Sequence, residues 1–151
     1  MRIRRVLLVD DDQNSLVLAM RAFKKWCAPL ASLAVAKSVR EAQEVLAVTS
    51  TPDLVILDVH MPDQDGFELL KFLKKDDRLR FAPVVMLSAS DADDDIKQAF
   101  ALGCNSYILK PTDYEEFQER IGLLFRYWLQ NECLTNRVER AMQAETALLL
   151  D

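Results

Sequence analysis

Three acids, a hydroxyl and a lysine stand out in this chain because each closes a short apolar run. Residues 5–9 end at Asp10-Asp11-Asp12, and residues 53–57 end at Asp58. Residues 83–87 end at Ser88, and residues 106–109 end at Lys110. If these runs are strands of one sheet, Asp10, Asp11, Asp58, Ser88 and Lys110 converge at its edge. Three carboxylates brought together repel one another and cannot all stay ionised without cost. A hard divalent cation resolves that conflict. Magnesium suits an all-oxygen site with few protein ligands and several retained waters. A carboxylate beside magnesium and a lysine can attack phosphorus to give an acyl phosphate. Lys110 would neutralise the developing charge, and Ser88 would hydrogen-bond a phosphate oxygen. Each residue alone has an ordinary explanation: an aspartate after a strand commonly caps a turn, and such a lysine is commonly solvated. The ordered combination is what points to a metal–phosphoryl site.

These residues meet only if the segments between them carry the chain back across a sheet. Residues 15–26 have helical spacing, with Leu16, Ala19, Met20 and Phe23 on one face and Pro29 beyond as a stop. Residues 32–36 form a weaker strand. Ser38 is a good N-cap, with Glu41 as its capping-box partner for a helix through Leu46 and Val48. Residues 66–75 form a helix with Phe67, Leu70 and Leu73 in step. Residues 91–102 form a helix with an acidic first turn, suited to the positive end of the helix dipole and closed by Gly103. Residues 114–130 make the last long helix. Five strand–helix units in strict alternation, with strands apolar throughout, predict a parallel sheet covered on both faces. The expected fold is therefore α/β: a flavodoxin-like, doubly wound five-stranded sheet of order 2-1-3-4-5. Residues 1–131 form this domain, and residues 132–151 a C-terminal helical extension.

Composition narrows the function. Half of the 151 residues are hydrophobic and 28% are charged, enough for a real core. Three glycines leave no room for a glycine-rich phosphate loop, and the single histidine, His60, excludes a multi-histidine metal site. A net charge of −5 without a basic stripe argues against direct nucleic-acid binding. No apolar run approaches the ~20 residues of a membrane span. The basic, apolar start is too short for a signal peptide and ends in three aspartates. Cys27, Cys104 and Cys133 then read as reduced thiols of a cytoplasmic protein. Cys104, Phe23 and Trp26 read as core, and Asp93-Asp94-Asp95 as a solvated helix start.

The segments Leu7–Asp12, Val55–Gly66, Pro83–Ala89 and Tyr107–Pro111 together resemble the receiver domain of two-component response regulators, of the chemotaxis-regulator kind. The resemblance covers roughly residues 4–130. It implies that Asp58 accepts a phosphoryl group from a sensor histidine kinase. It further implies that Asp11 ligates magnesium directly, Asp10 through water, and His60 through its backbone carbonyl. Ser88 would be the switch hydroxyl, Lys110 the site lysine and Tyr107 the aromatic switch. His60, Ala89 and Ser90 would line the rim where attacking water enters. The side chain of Asp12 is expected to leave the site. Residues 105–132 are similar to those of a subgroup of stand-alone receivers, some of which partner phytochrome-type kinases.

A magnesium-dependent phosphatase with an aspartate nucleophile is the alternative. It usually needs a second acid two residues after the nucleophile, where this chain has His60. The protein is accordingly expected not to be a conventional enzyme, its chemistry being limited to its own phosphorylation and dephosphorylation. On the last helix, Tyr114, Phe117, Ile121, Leu124, Phe125, Trp128 and Leu129 should face the sheet. Leu123 and Tyr127 fall opposite, flanked by Glu116 and Arg120. Residues 137–150 can form one more helix, too short to stand alone. That helix folds back over the Leu123–Tyr127 surface, makes a twofold homodimer with it, or begins a longer coiled coil; the homodimer is the favoured reading.

Overall fold

A computed structural model describes residues 3–27 and 31–130 of the chain. In chain order the elements are β1 (Arg4–Val9), α1 (Gln13–Trp26), β2 (Ala31–Ala36), α2 (Val39–Val48) and β3 (Leu54–Leu57). There follow α3 (Gly66–Lys75), β4 (Val84–Ser88), α4 (Asp93–Ala101), β5 (Ser106–Leu109) and α5 (Tyr114–Gln130). The five strands are parallel, in the order β2-β1-β3-β4-β5. This is the expected topology. Pro29 and the extension at 132–151, with Cys133, lie outside the described residues.

Alternate side chains of the central strands feed two cores, because successive strand residues point to opposite faces. Leu7, Val9, Val55, Leu57 and Met86 pack with Leu46, Phe67, Leu70 and Leu73 on one side. Val6, Leu8, Leu54, Ile56, Val85 and Leu87 pack with Leu16, Phe23, Phe117, Ile121 and Phe125 on the other. There Phe23 and Phe125 meet edge to face at 5.3 Å, joining α1 to α5. β2 was the weakest strand in sequence for a physical reason: it is a sheet edge, and most of its side chains are only half-buried.

Local chemistry sets the helix ends. The Asp12 carboxylate accepts from the Asn14 amide, so α1 begins at Gln13, two residues earlier than expected. Ser38 accepts from the Glu41 amide at 3.0 Å, and Glu41 reaches back to the Lys37 amide at 3.3 Å. α4 begins at Asp93, later than expected, and Ala92 offers it no side-chain cap. Its far end is a Schellman turn: the Gly103 amide bonds to Phe100, and the Cys104 amide to Ala99. Gly103 takes φ 99° there, a value that favours glycine.

Three expected core positions are corrected. Met20 and Trp26 lie exposed on α1, and Tyr114 on the first turn of α5. Met20 sits at the outer margin of its apolar stripe. The Trp26 indole lies close against Gly122 of α5, with the Arg126 guanidinium 4.1 Å from its ring. Part of its apolar surface thus rests on α5 without entering the core. Cys104 is buried, as expected.

Candidate functional site

The sheet delivers four of the five candidate residues through its last backbone hydrogen bonds. The Asp10 amide donates to Ala36, the Asp58 amide to Val9 and the Lys110 amide to Ser88. Residues that directly follow β1, β3 and β5 are thereby held side by side at the carboxyl end of the sheet, with Ser88 closing β4 among them. Topology alone places a ligand there, because β1 and β3 flank the point where strand order reverses.

Carboxylate oxygens of Asp10, Asp11 and Asp58 all lie within 4.8 Å of one another. Asp10 and Asp58 are buried, while Asp11 is exposed and opens the cluster to solvent. Lys110 Nζ donates to Asp10 at 2.6 Å and to Asp58 at 3.2 Å. Burial raises the Asp10 carboxyl to about 6, against the opposing pull of Lys110. Burial disfavours the Lys110 ammonium too, but Asp10 and Asp58 outweigh it and raise its pKa. One lysine therefore does not balance this cluster. An all-oxygen donor set with excess negative charge and one exposed acid fits a hard divalent cation. Asp12 turns away, as expected. Its carboxylate caps α1 and accepts from the Ser15 hydroxyl at 3.0 Å.

Ser88 is buried, and its hydroxyl accepts from the Ser90 amide at 3.1 Å. The Tyr107 hydroxyl donates to the Ser90 carbonyl at 2.7 Å, so the ring is already lodged against the β4–α4 loop. Ala89 is exposed, as a rim position should be. His60 is exposed too, with its imidazole Nε2 3.2 Å from an Asp95 oxygen. Ser90 donates its hydroxyl to the same oxygen. That bond, ahead of the contact with His60, holds the Asp95 carboxyl below its ordinary range.

Two acids escaped the sequence reading. Asp95 was taken as part of a solvated triplet, yet it binds two rim residues. Asp63 accepts from the Val39 and Arg40 amides, tying the β3–α3 loop to the first turn of α2. Neither has a spacing signal, since their partners come from other loops. A glycine completes this framework. A Cβ at Gly66 would stand 2.0 Å from the Asp58 carbonyl oxygen, while the Gly66 amide donates to Val59 at 2.6 Å. Only a bare backbone can pass so close behind the loop that carries Asp58.

A family model described as the response regulator receiver domain matches residues 6–122. The chain belongs to that family. This receiver is 33% identical over 132 residues to the probable methanogenesis regulatory protein FilR2 of Methanothrix harundinacea, covering 82% of this chain and 83% of that protein. It is 34% identical over 123 residues to the DNA-binding transcriptional regulator RpaA of Synechocystis, covering 81% of this chain and 49% of that protein. It thus spans about half the length of RpaA. Among solved structures, the phosphorylated cyanobacterial phytochrome response regulator RcpA matches with a TM-score of 0.80 at 30% identity, covering 85% of this receiver and 95% of RcpA. The bacteriophytochrome response regulator AtBRR matches with a TM-score of 0.66 at 32% identity, covering 82% and 92%. The function that follows is phosphoryl acceptance in two-component signalling. Among the described residues, no helix is long and apolar enough to cross a membrane.

Proposed function

We propose that Asp58 is the phosphoacceptor, and that this receiver takes its phosphoryl group from a sensor histidine kinase in the cytoplasm. The observation that carries this reading is the Lys110 ammonium bridging Asp10 and Asp58 beside the exposed Asp11. The Asp58 oxygen attacks phosphorus, the donor's phosphorus–nitrogen bond breaks, and the phosphoryl group passes to the carboxylate. Lys110, 3.2 Å from an Asp58 oxygen, neutralises the added charge. Asp11, Asp58 and the His60 carbonyl, with Asp10 acting through water, would hold magnesium, which would supply charge neutralisation for the transferring group. Water later attacks the same phosphorus, returning the carboxylate and inorganic phosphate. The protein thus turns over only its own phosphate. Ser88 turns toward the phosphate as the switch hydroxyl, and Tyr107 behind it transmits the change.

The output is a change in partner binding, not direct contact with nucleic acid, consistent with the net charge of −5. The partner kinase is of the phytochrome type, a reading supported by the likeness to RcpA and AtBRR. A phosphotransfer profile tests both proposals. Phosphate should pass within seconds from one kinase of the source organism to wild type, and not to Asp58→Asn. Steady turnover of generic phosphomonoesters would instead favour the phosphatase reading.

The receiver also forms a homodimer through α5. Leu123 and Tyr127 are 58% and 64% exposed, large apolar side chains on one helix face. Leu123 borders an open groove of about 550 Å³ between α1 and α5. The groove carries Arg21, Lys25 and Arg126 against Glu115 and Glu119, a mixed pattern suited to pairing with its own copy.

A further inference from the structure

The rim of the site contains an arrangement that phosphoryl acceptance does not itself require. One oxygen of Asp95, in the first turn of α4, meets both the Ser90 hydroxyl and the His60 imidazole. Ser90 lies on the β4–α4 loop and His60 on the β3–α3 loop, so a single carboxylate spans the mouth between them. Ser90 is itself fully engaged. Its amide donates to the Ser88 hydroxyl, its carbonyl accepts from Tyr107, and its own hydroxyl accepts from the Ala92 amide. The side chain proposed to sense phosphate and the one proposed to transmit it are therefore both bonded to Ser90. Asp95 is the side chain of α4 that holds Ser90.

α4 has little else to fix its start. It has no side-chain N-cap, and Ala99 is its one buried residue. A loop joined to a lightly packed helix has more than one arrangement open to it, and a hydrogen bond at the joint biases the choice.

We propose that Asp95 is a positioning residue that holds the β4–α4 loop in its Tyr107-engaged form before any phosphoryl group arrives. This rests on the reading of Asp58 as acceptor, since the held form is the one that receives the phosphoryl group. Apparent affinity for a phosphoryl mimic scales with the fraction of protein already in the competent form. Releasing the loop therefore weakens binding of the mimic without touching the carboxylates that hold magnesium.

The test compares wild type, Asp95→Ala, Asp95→Asn and Asp94→Ala by magnetic resonance during titration with beryllofluoride at saturating magnesium. Asp95→Ala should weaken beryllofluoride binding by about three- to tenfold, the effect that one partly exposed hydrogen bond supports. Its Tyr107 ring signals should move toward solvent-exposed values before any mimic is added. Magnesium affinity should stay unchanged. Asp95→Asn keeps an oxygen acceptor for Ser90 and should recover most of the loss. Asp94→Ala removes an equal charge from the same helix turn and should behave as wild type. Asp95→Ala that binds beryllofluoride within twofold of wild type, with Tyr107 signals unmoved, would overturn the proposal. So would an equal loss in Asp94→Ala, which would assign the effect to helix charge. Wild type that ignores beryllofluoride would fail the acceptor reading itself, while the Tyr107 signals of the mimic-free variants would still judge Asp95.

Discussion

Adjacent aspartates at the end of β1 have three different tasks. Asp10 is buried beneath Lys110, Asp11 faces solvent at the cluster, and Asp12 caps α1. Their removal should therefore separate cleanly. Asp11→Ala should weaken magnesium binding at least tenfold, measured by calorimetric titration. Asp12→Ala should leave that affinity within twofold and instead cost about 1 kcal/mol of stability, the usual value of an N-cap. Comparable magnesium loss in both would mean the cap assignment is wrong. Ser88 closes β4 with its hydroxyl turned toward the Ser90 amide. Ser88→Ala should still accept phosphate from acetyl phosphate, yet its amide spectrum should barely change on phosphorylation. Asp10, Asp11, Asp58, Ser88 and Lys110 were legible in the sequence because each follows or ends an apolar run, and sheet topology does the rest. Asp63 and Asp95 were not, because an acid in a polar loop or in an acidic helix turn looks the same in sequence whether water or a group from a distant loop solvates it.

The helices and strands follow the same division. Strands β1, β3 and β4 were evident as unbroken apolar runs, since both of their faces are buried. β2 and β5 are edges, and their weaker burial leaves a weaker signature. Trp26 was misassigned because periodicity reports which face a residue occupies, not whether a neighbouring helix covers it on the outside. Two glycines test how these elements fit. At Gly66 the added methyl would meet the backbone of Asp58, which cannot give way. Gly66→Ala should cost about 3 kcal/mol or more in chemical denaturation and disturb the acceptor loop. At Gly122 the obstacle is the indole of Trp26, 2.7 Å from the added carbon. That ring is 42% exposed and can swing outward. Gly122→Ala should therefore lie within about 1 kcal/mol of wild type, strain against Trp26 being offset by helix propensity. Tryptophan fluorescence should report the displaced ring. Equal losses at the two glycines would contradict this account.

For the molecule as a whole, the helix pair α1–α5 carries both a tight internal seam and an apolar outer face. Phe23 and Phe125 form the seam, and Leu123 and Tyr127 the face. Leu123→Glu or Tyr127→Glu should dissociate the proposed homodimer, and truncation after Asn131 should weaken it. Light scattering at high micromolar concentration reads both changes. A monomeric wild type, with or without phosphate, would reject the intermolecular arrangement. Divalent metal should also act on the whole domain. By mass action, magnesium at one hundred times its dissociation constant stabilises the fold by about 2.7 kcal/mol. Thermal unfolding should therefore shift upward with magnesium and return with chelator, and Asp11→Ala should blunt the shift. The central claim is that one carboxylate, Asp58, receives the phosphoryl group. Its most direct test is intact and peptide mass spectrometry after incubation with acetyl phosphate and magnesium. The account predicts a single added phosphoryl group on the peptide carrying Asp58, labile to base and absent from Asp58→Asn. Undiminished labelling of Asp58→Asn, or acid-stable phosphate on a serine of the wild type, would contradict it.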